Sequence, residues 1–138
     1  MLLRWRVLCA PLIVSAIACN GKSVAERIAE HDRVRVSWEQ TTRFVGAEWE
    51  NGAIPDAYAA RTLARAGKEL RSEDQALDKE KIPDRERARL RASLDSARAF
   101  ADTLGLAVRA RDREAVMRLV KDSPRANTDS LLRQAALR

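Results

Sequence analysis

Two kinds of hydrophobic pattern occupy this chain, and they divide it near residue 22. Close to the start, VLCAPLIVSAIA (Val7 to Ala18) is an unbroken apolar segment of 12 residues. From Ser23 onward, apolar residues recur at spacings of four and three, the period of a helix with one buried face. The first such ladder is Val24, Ile28, His31, Arg35, Trp38, Thr42, Val45 and Trp49, with no proline between Ser23 and Asn51. It predicts one long amphipathic helix with a seam near the 3.5-residue repeat, interrupted at Arg35. Ser23 and Glu26 predict a capping box at its start. Gly46 marks a bend or a close approach within it, and Asn51-Gly52 offers a left-handed stop.

A second ladder, Ala59, Leu63, Ala66, Leu70, Glu73 and Leu77, predicts a helix over Asp56 to Lys79. The third, Leu90, Leu94, Ala97, Ala101, Leu104 and Val108, is the cleanest and stops near Arg111. Asp112 then reads as the N-cap of a shorter helix, Arg113 to Lys121. Ser123-Pro124 ends that piece, and Asn127 or Thr128 caps a last one running to Leu137. Both breaks between the long helices read Ile-Pro-Asp, at Ile54-Pro55-Asp56 and Ile82-Pro83-Asp84. The shared chemistry explains the recurrence without a duplication: Ile packs where the helix begins, Pro fixes φ, and Asp faces the positive end of the helix dipole. The acid-first pairs Glu39–Arg43, Glu114–Arg118 and Asp129–Arg133 each add about 0.2–0.5 kcal/mol. Short breaks force successive helices to reverse. The expected fold is therefore all-α: an antiparallel bundle of three long helices plus one or two short C-terminal helices, spanning residues 23–138.

Composition agrees with that reading. Charged residues make up 33% of the 138 positions, and glycine and proline together number nine, too few for the turns of an all-β protein. The net charge of +6 becomes +4 (24 Lys and Arg against 20 Asp and Glu) once residues 1–18 are set aside. Both signs are interleaved, which describes a solvated helical surface. Attraction to anionic headgroups or an acidic partner is the second reading, with RERARLR (Arg85 to Arg91) as the densest basic stretch. Nucleic acid is not an expected partner.

The apolar start has a separate meaning. Met1 to Arg6 is basic, and 12 apolar residues suit the core of a signal peptide but fall short of the ~20 needed to span a bilayer as a helix. Residues 1–18 are the expected signal peptide. Ala16 and Ala18 satisfy the small-x-small rule for ordinary cleavage before Cys19. The segment AIAC also resembles the lipobox of bacterial lipoproteins, usually Leu-Ala/Ser-Gly/Ala-Cys; Ala18 and Cys19 match, and Ala16 stands where Leu is commonest. The resemblance implies a mature chain that begins at a lipidated Cys19, carrying acyl chains such as palmitate, with residues 19–22 as a short tether. It implies nothing about the helical domain. The cysteine count favours it, because Cys9 falls in the discarded segment and a lone thiol in an exported protein has no disulfide partner. Asn20 in place of Asp after the cysteine implies the outer membrane, facing the periplasm, if the envelope is Gram-negative.

Little in the helical part points to chemistry. His31 is the single histidine and reads as packed on its seam. The bundle metal pattern Glu-x-x-His fails because Ile28 precedes it by three. No CxxCH, no glycine-rich phosphate loop and no nucleophile with a base are present, so no catalytic residue, cofactor or metal is assigned. Glu73-Asp74, and Glu86 near Asp84, read as salt-bridged surface. Trp38 and Trp49, three turns apart on one face, read as core, or else Trp49 joins Tyr58 across the turn as an aromatic interaction patch. The functional expectation is a non-catalytic module, tethered to the membrane by lipid, that binds an envelope protein or the cell wall. The alternative is a soluble periplasmic binding or chaperone-like protein, although the LTxxQ-type motif of helical stress chaperones is not found.

Overall fold

The computed structural model describes residues 21–122. Four helices occur there: α1 (Val24–Glu50), α2 (Asp56–Leu77), α3 (Asp84–Arg109) and α4 (Arg113–Asp122). No strand is found among the described residues, so the fold class is all-α. The expected signal segment, Cys19, the last helix to Leu137 and the pair Asp129–Arg133 lie outside the described residues.

The helix ends follow from local chemistry. The Glu26 N–H donates to Ser23 Oγ at 3.2 Å, and the Ser23 N–H donates to the Glu26 carboxylate at 2.7 Å, completing the capping box. α1 stops at Gly52, whose φ is +76°. There the Gly52 N–H donates to the Trp49 carbonyl and the Ala53 N–H to the Glu48 carbonyl, at 3.0 and 2.8 Å. This pair of bonds satisfies carbonyls that a helix end leaves open, and it needs a left-handed residue between them. α3 ends by the same two bonds, Arg111 N–H to Val108 and Asp112 N–H to Ala107, both at 3.0 Å. Arg111 fills the left-handed place at φ +58°, which costs a residue with a Cβ about 1–2 kcal/mol. Pro55 and Pro83 occupy the N-caps of α2 and α3, so Asp56 and Asp84 are the first helical residues. Ile54 packs on one core cluster and Ile82 is buried in the other, as their common motif predicts.

The long helices reverse at each turn. Trp49 meets Asp56 at one end, while Arg27 of α1 meets Glu80 beyond α2 at the other. α2 packs most extensively on α3, and α4 covers α1 and α3. The predicted ladders of α2 and α3 are the buried faces: every rung of the α3 ladder is buried, as is every rung of α2 except Glu73. In the α1 ladder His31, Thr42, Val45 and Trp49 are buried, whereas Ile28, Arg35 and Trp38 are half-buried and Val24 is exposed. Two apolar clusters result. Val45, Trp49, Leu63, Leu104, Val108 and Val116 form one, and Leu70, Leu77, Ile82, Leu90, Leu94 and Ala97 form the other. Each fully buried Leu contributes roughly 1.5–3 kcal/mol relative to exposure. Gly46 is a close approach: a Cβ there would meet Leu104 Cδ2 at 2.8 Å and Val120 Cγ2 at 2.9 Å.

Between the clusters each long helix contributes one small or polar rung: Thr42, Ala66 and Ala101, all at most 1% exposed. The Thr42 hydroxyl is buried there without a hydrogen-bond partner among the described residues. An orphaned buried hydroxyl costs about 1–3 kcal/mol, and Val has nearly the same shape. Thr42→Val is therefore expected to raise stability by about 1 kcal/mol, visible as a Tm rise of about 4–8 °C in a domain of this size. A fall in Tm would show that the hydroxyl is bonded.

Candidate functional site

A cleft of about 580 Å³ lies where the start of α1 meets the end of α2. Its walls are polar, and the polar groups come in matched pairs. Lys22 Nζ reaches Glu30 at 2.5 Å, and Arg27 reaches Glu80 at 3.7 Å. The hydrogen bond from Lys22, and after it the Lys22 charge, holds the Glu30 carboxyl below its usual range. Deepest in the wall, His31 Nδ1 donates to Glu73 Oε1 at 2.5 Å. The His31 and Glu73 side chains are only 9% and 19% exposed. Both are polar rungs on apolar ladders: Glu73 is the one polar rung of the α2 ladder, and His31 is one of three on α1, beside Arg35 and Thr42.

This arrangement restricts the chemistry. A carboxylate on imidazole Nδ1 is how an enzyme orients a histidine base, but the base must then meet a nucleophile or a substrate proton. No Ser, Thr or Cys among the described residues lines the cleft. Among the described residues, no three His, Cys, Asp or Glu side chains converge as a metal ion requires. The charged groups of the wall are ion-paired, among the described residues, as Lys22–Glu30 and Arg27–Glu80, and the Glu73 carboxylate is hydrogen-bonded by His31. The geometry is that of a clasp holding the start of α1 to the α2–α3 hairpin.

The paired carboxylates of the sequence divide between roles. Asp74 joins Asp78 in holding Arg91 of α3, at 2.8 and 2.7 Å, and that double contact pushes the guanidinium pKa up. Asp84 pairs with Arg87 at 3.2 Å on the surface. Glu73, by contrast, is the partner of His31, a connection that sequence reasoning missed. The predicted helical pairs Glu39–Arg43 and Glu114–Arg118 form at 3.1 and 3.9 Å.

At the opposite end the aromatic residues separate. Trp49 is 2% exposed and belongs to the core, whereas Tyr58 is 51% exposed. The indole N–H of Trp49 donates to Asp56 Oδ1 at 2.9 Å, and the Arg113 guanidinium lies 5.6 Å from the centre of its ring. Trp49 is closed over and presents no surface with Tyr58; the two do not form the aromatic patch. Trp38 is half-buried against the second cluster, with Arg65 over its ring at 6.0 Å. A smaller groove of about 290 Å³ runs between α2 and α3 on a floor that includes Gly67 and Gly105. Lys68, Arg71, Arg109 and Asp102 edge it.

No described helix is long and apolar enough to cross a membrane. Comparison with protein-family models, curated proteins and solved structures returns no match. Function must therefore be argued from the residues themselves.

Proposed function

We propose that this chain is a bacterial envelope lipoprotein whose helices form an antiparallel bundle that acts as a non-catalytic interaction or structural module. The observation that carries the reading is the sequence AIAC at the end of a 12-residue apolar segment with a basic start, with Cys19 as the only cysteine outside that segment. Diacylglyceration of the Cys19 thiol accounts for a cysteine that no disulfide can use. Residues 19–22 then serve as the tether, and the capped start of α1 follows at once. The partner is an envelope protein or the cell wall, and the location is the outer membrane facing the periplasm if the bacterium is Gram-negative. A second reading, a soluble periplasmic helical binding or chaperone-like protein, draws on Ala16 and Ala18, which also suit ordinary cleavage.

Metabolic labelling with palmitate separates the two. The full chain, expressed in a bacterium, is expected to incorporate label and to sediment with membranes, and Cys19→Ala is expected to lose both. A soluble product whose intact mass begins at an unmodified Cys19 would instead establish the second reading. Detergent extraction followed by capture should enrich an envelope component relative to Cys19→Ala.

A further inference from the structure

We infer that the α2–α3 turn is a membrane-facing surface, held by its basic side chains against anionic phospholipid headgroups. The inference rests on the lipid anchor at Cys19 and adds to it which end of the domain lies on the bilayer and what chemistry it meets. Four tether residues, Cys19 to Lys22, reach at most about 14 Å when extended. The α2–α3 turn lies at that same end, because Arg27 pairs with Glu80 and its Nε donates to the Lys22 carbonyl at 3.1 Å.

The charges at this end are unevenly satisfied. Asp78 is taken by Arg91, Glu80 by Arg27 and Asp84 by Arg87. Lys79, Lys81, Arg85 and Arg89 are exposed and have no carboxylate within ion-pair distance among the described residues, with Glu86 the one acid of the turn left unpaired. Four free cations thus face one free carboxylate. The backbone adds to the sign: α1 and α3 begin at this end and only α2 finishes there, which gives two positive helix ends to one negative. Attraction to a charged bilayer is screened over about 8 Å at physiological salt. A tether this short keeps the turn close to that range, whereas Lys68 in mid-α2 and Lys121 on α4 are farther along the fold.

The test installs the anchor chemically. Residues 19–138 keep every contact of the described helices and are coupled through the Cys19 thiol to a maleimide lipid. The vesicles are phosphatidylcholine alone or phosphatidylcholine with phosphatidylglycerol. Modification of each lysine by an amine-reactive ester is then read by mass spectrometry. Lys79 and Lys81 are expected to react several-fold more slowly on the anionic vesicles than on the neutral ones, with Lys68 and Lys121 unchanged. The difference should vanish in about 1 M salt, where screening is complete within ~3 Å. An Arg85→Glu/Arg89→Glu variant, checked for helix content, should lose most of the protection. Equal reactivity on both vesicles, or slowing of all four lysines together, overturns the inference and leaves the lipoprotein reading standing. An unmodified Cys19 in the native protein would remove the anchor reading without altering the vesicle result.

Discussion

Trp49→Ala is expected to lower the unfolding free energy by about 3–5 kcal/mol. The ring sits among Val45, Ala59, Leu63, Val108 and Val116, drawn from all four helices, and truncation leaves a cavity that their packing cannot close. Trp49→Phe keeps most of the ring and loses the indole N–H to Asp56, so about 1–2 kcal/mol is expected. Denaturant titration followed by helical circular dichroism measures both. A cost below about 1 kcal/mol for Trp49→Ala would place the ring at the surface, as the aromatic-patch reading requires. The same contact has a pH signature. The Asp56 carboxyl is held below its ordinary range, first by the Trp49 hydrogen bond and then by the Arg111 charge and its hydrogen bond. A carboxyl with a depressed folded pKa stabilises fully above its unfolded value, and that stabilisation disappears as pH falls through the folded value. Trp49→Phe should therefore leave the onset of the acid limb near the unfolded value, while the loss of stability below it becomes smaller and is complete at a higher pH.

Most of the helical architecture was legible because each ladder carries a single buried stripe. The caps were legible for the same local reason: Ser23 with Glu26, Gly52 and Asp112 act within a few residues of themselves. Asp112 Oδ1 accepts from the Ala115 N–H at 2.9 Å, as an N-cap should. Gly46 shows where legibility thins. A glycine on a helix predicts either a bend or a close approach, and only the position of Leu104 and Val120 decides between them. Arg111 was opaque, since nothing local marks an arginine for the left-handed region. Its side chain reaches Asp56 Oδ2 at 3.0 Å, tying the α3–α4 turn to the start of α2.

The clasp was hidden for a related reason. Counting rungs outward from the α1–α2 turn places Trp49 by Ala59, Val45 by Leu63, Thr42 by Ala66 and Trp38 by Leu70. The next step sets Arg35 against Glu73, an apparently ideal ion pair. Arg35 instead turns along its own helix to Asp32 and Glu39, at 2.9 and 2.7 Å, and His31 one rung farther on takes Glu73. Side-chain reach and competition within a helix decide such pairings, and periodicity carries neither. The same limit applies to function. The ladders specify a scaffold, and the one residue whose type and position imply a covalent fate, Cys19, belongs to no ladder.

Glu73→Leu is expected to cost about 1.5–3 kcal/mol, because it leaves the buried His31 Nδ1–H without its charged acceptor. His31→Leu should cost less, since Glu73 is more exposed and can turn its carboxylate to water. The informative variant is the double change His31→Leu/Glu73→Leu. A buried polar pair replaced by apolar residues of similar size is often neutral or stabilising, because the desolvation of both groups is relieved together. The double variant is therefore expected to match or exceed the native chain in thermal and denaturant unfolding, with a coupling energy of about 1–3 kcal/mol across the cycle. If the two single losses simply add, His31 and Glu73 act separately and the clasp does not exist. Coupling together with a double variant at least as stable as the native chain has a further consequence. The fold would then not need the pair for stability, and its remaining effect would be on geometry: fixing the register of the start of α1 on the α2–α3 hairpin. That register sets where the tether leaves the bundle, so the apolar double variant should keep its stability yet weaken the vesicle-dependent protection of Lys79 and Lys81.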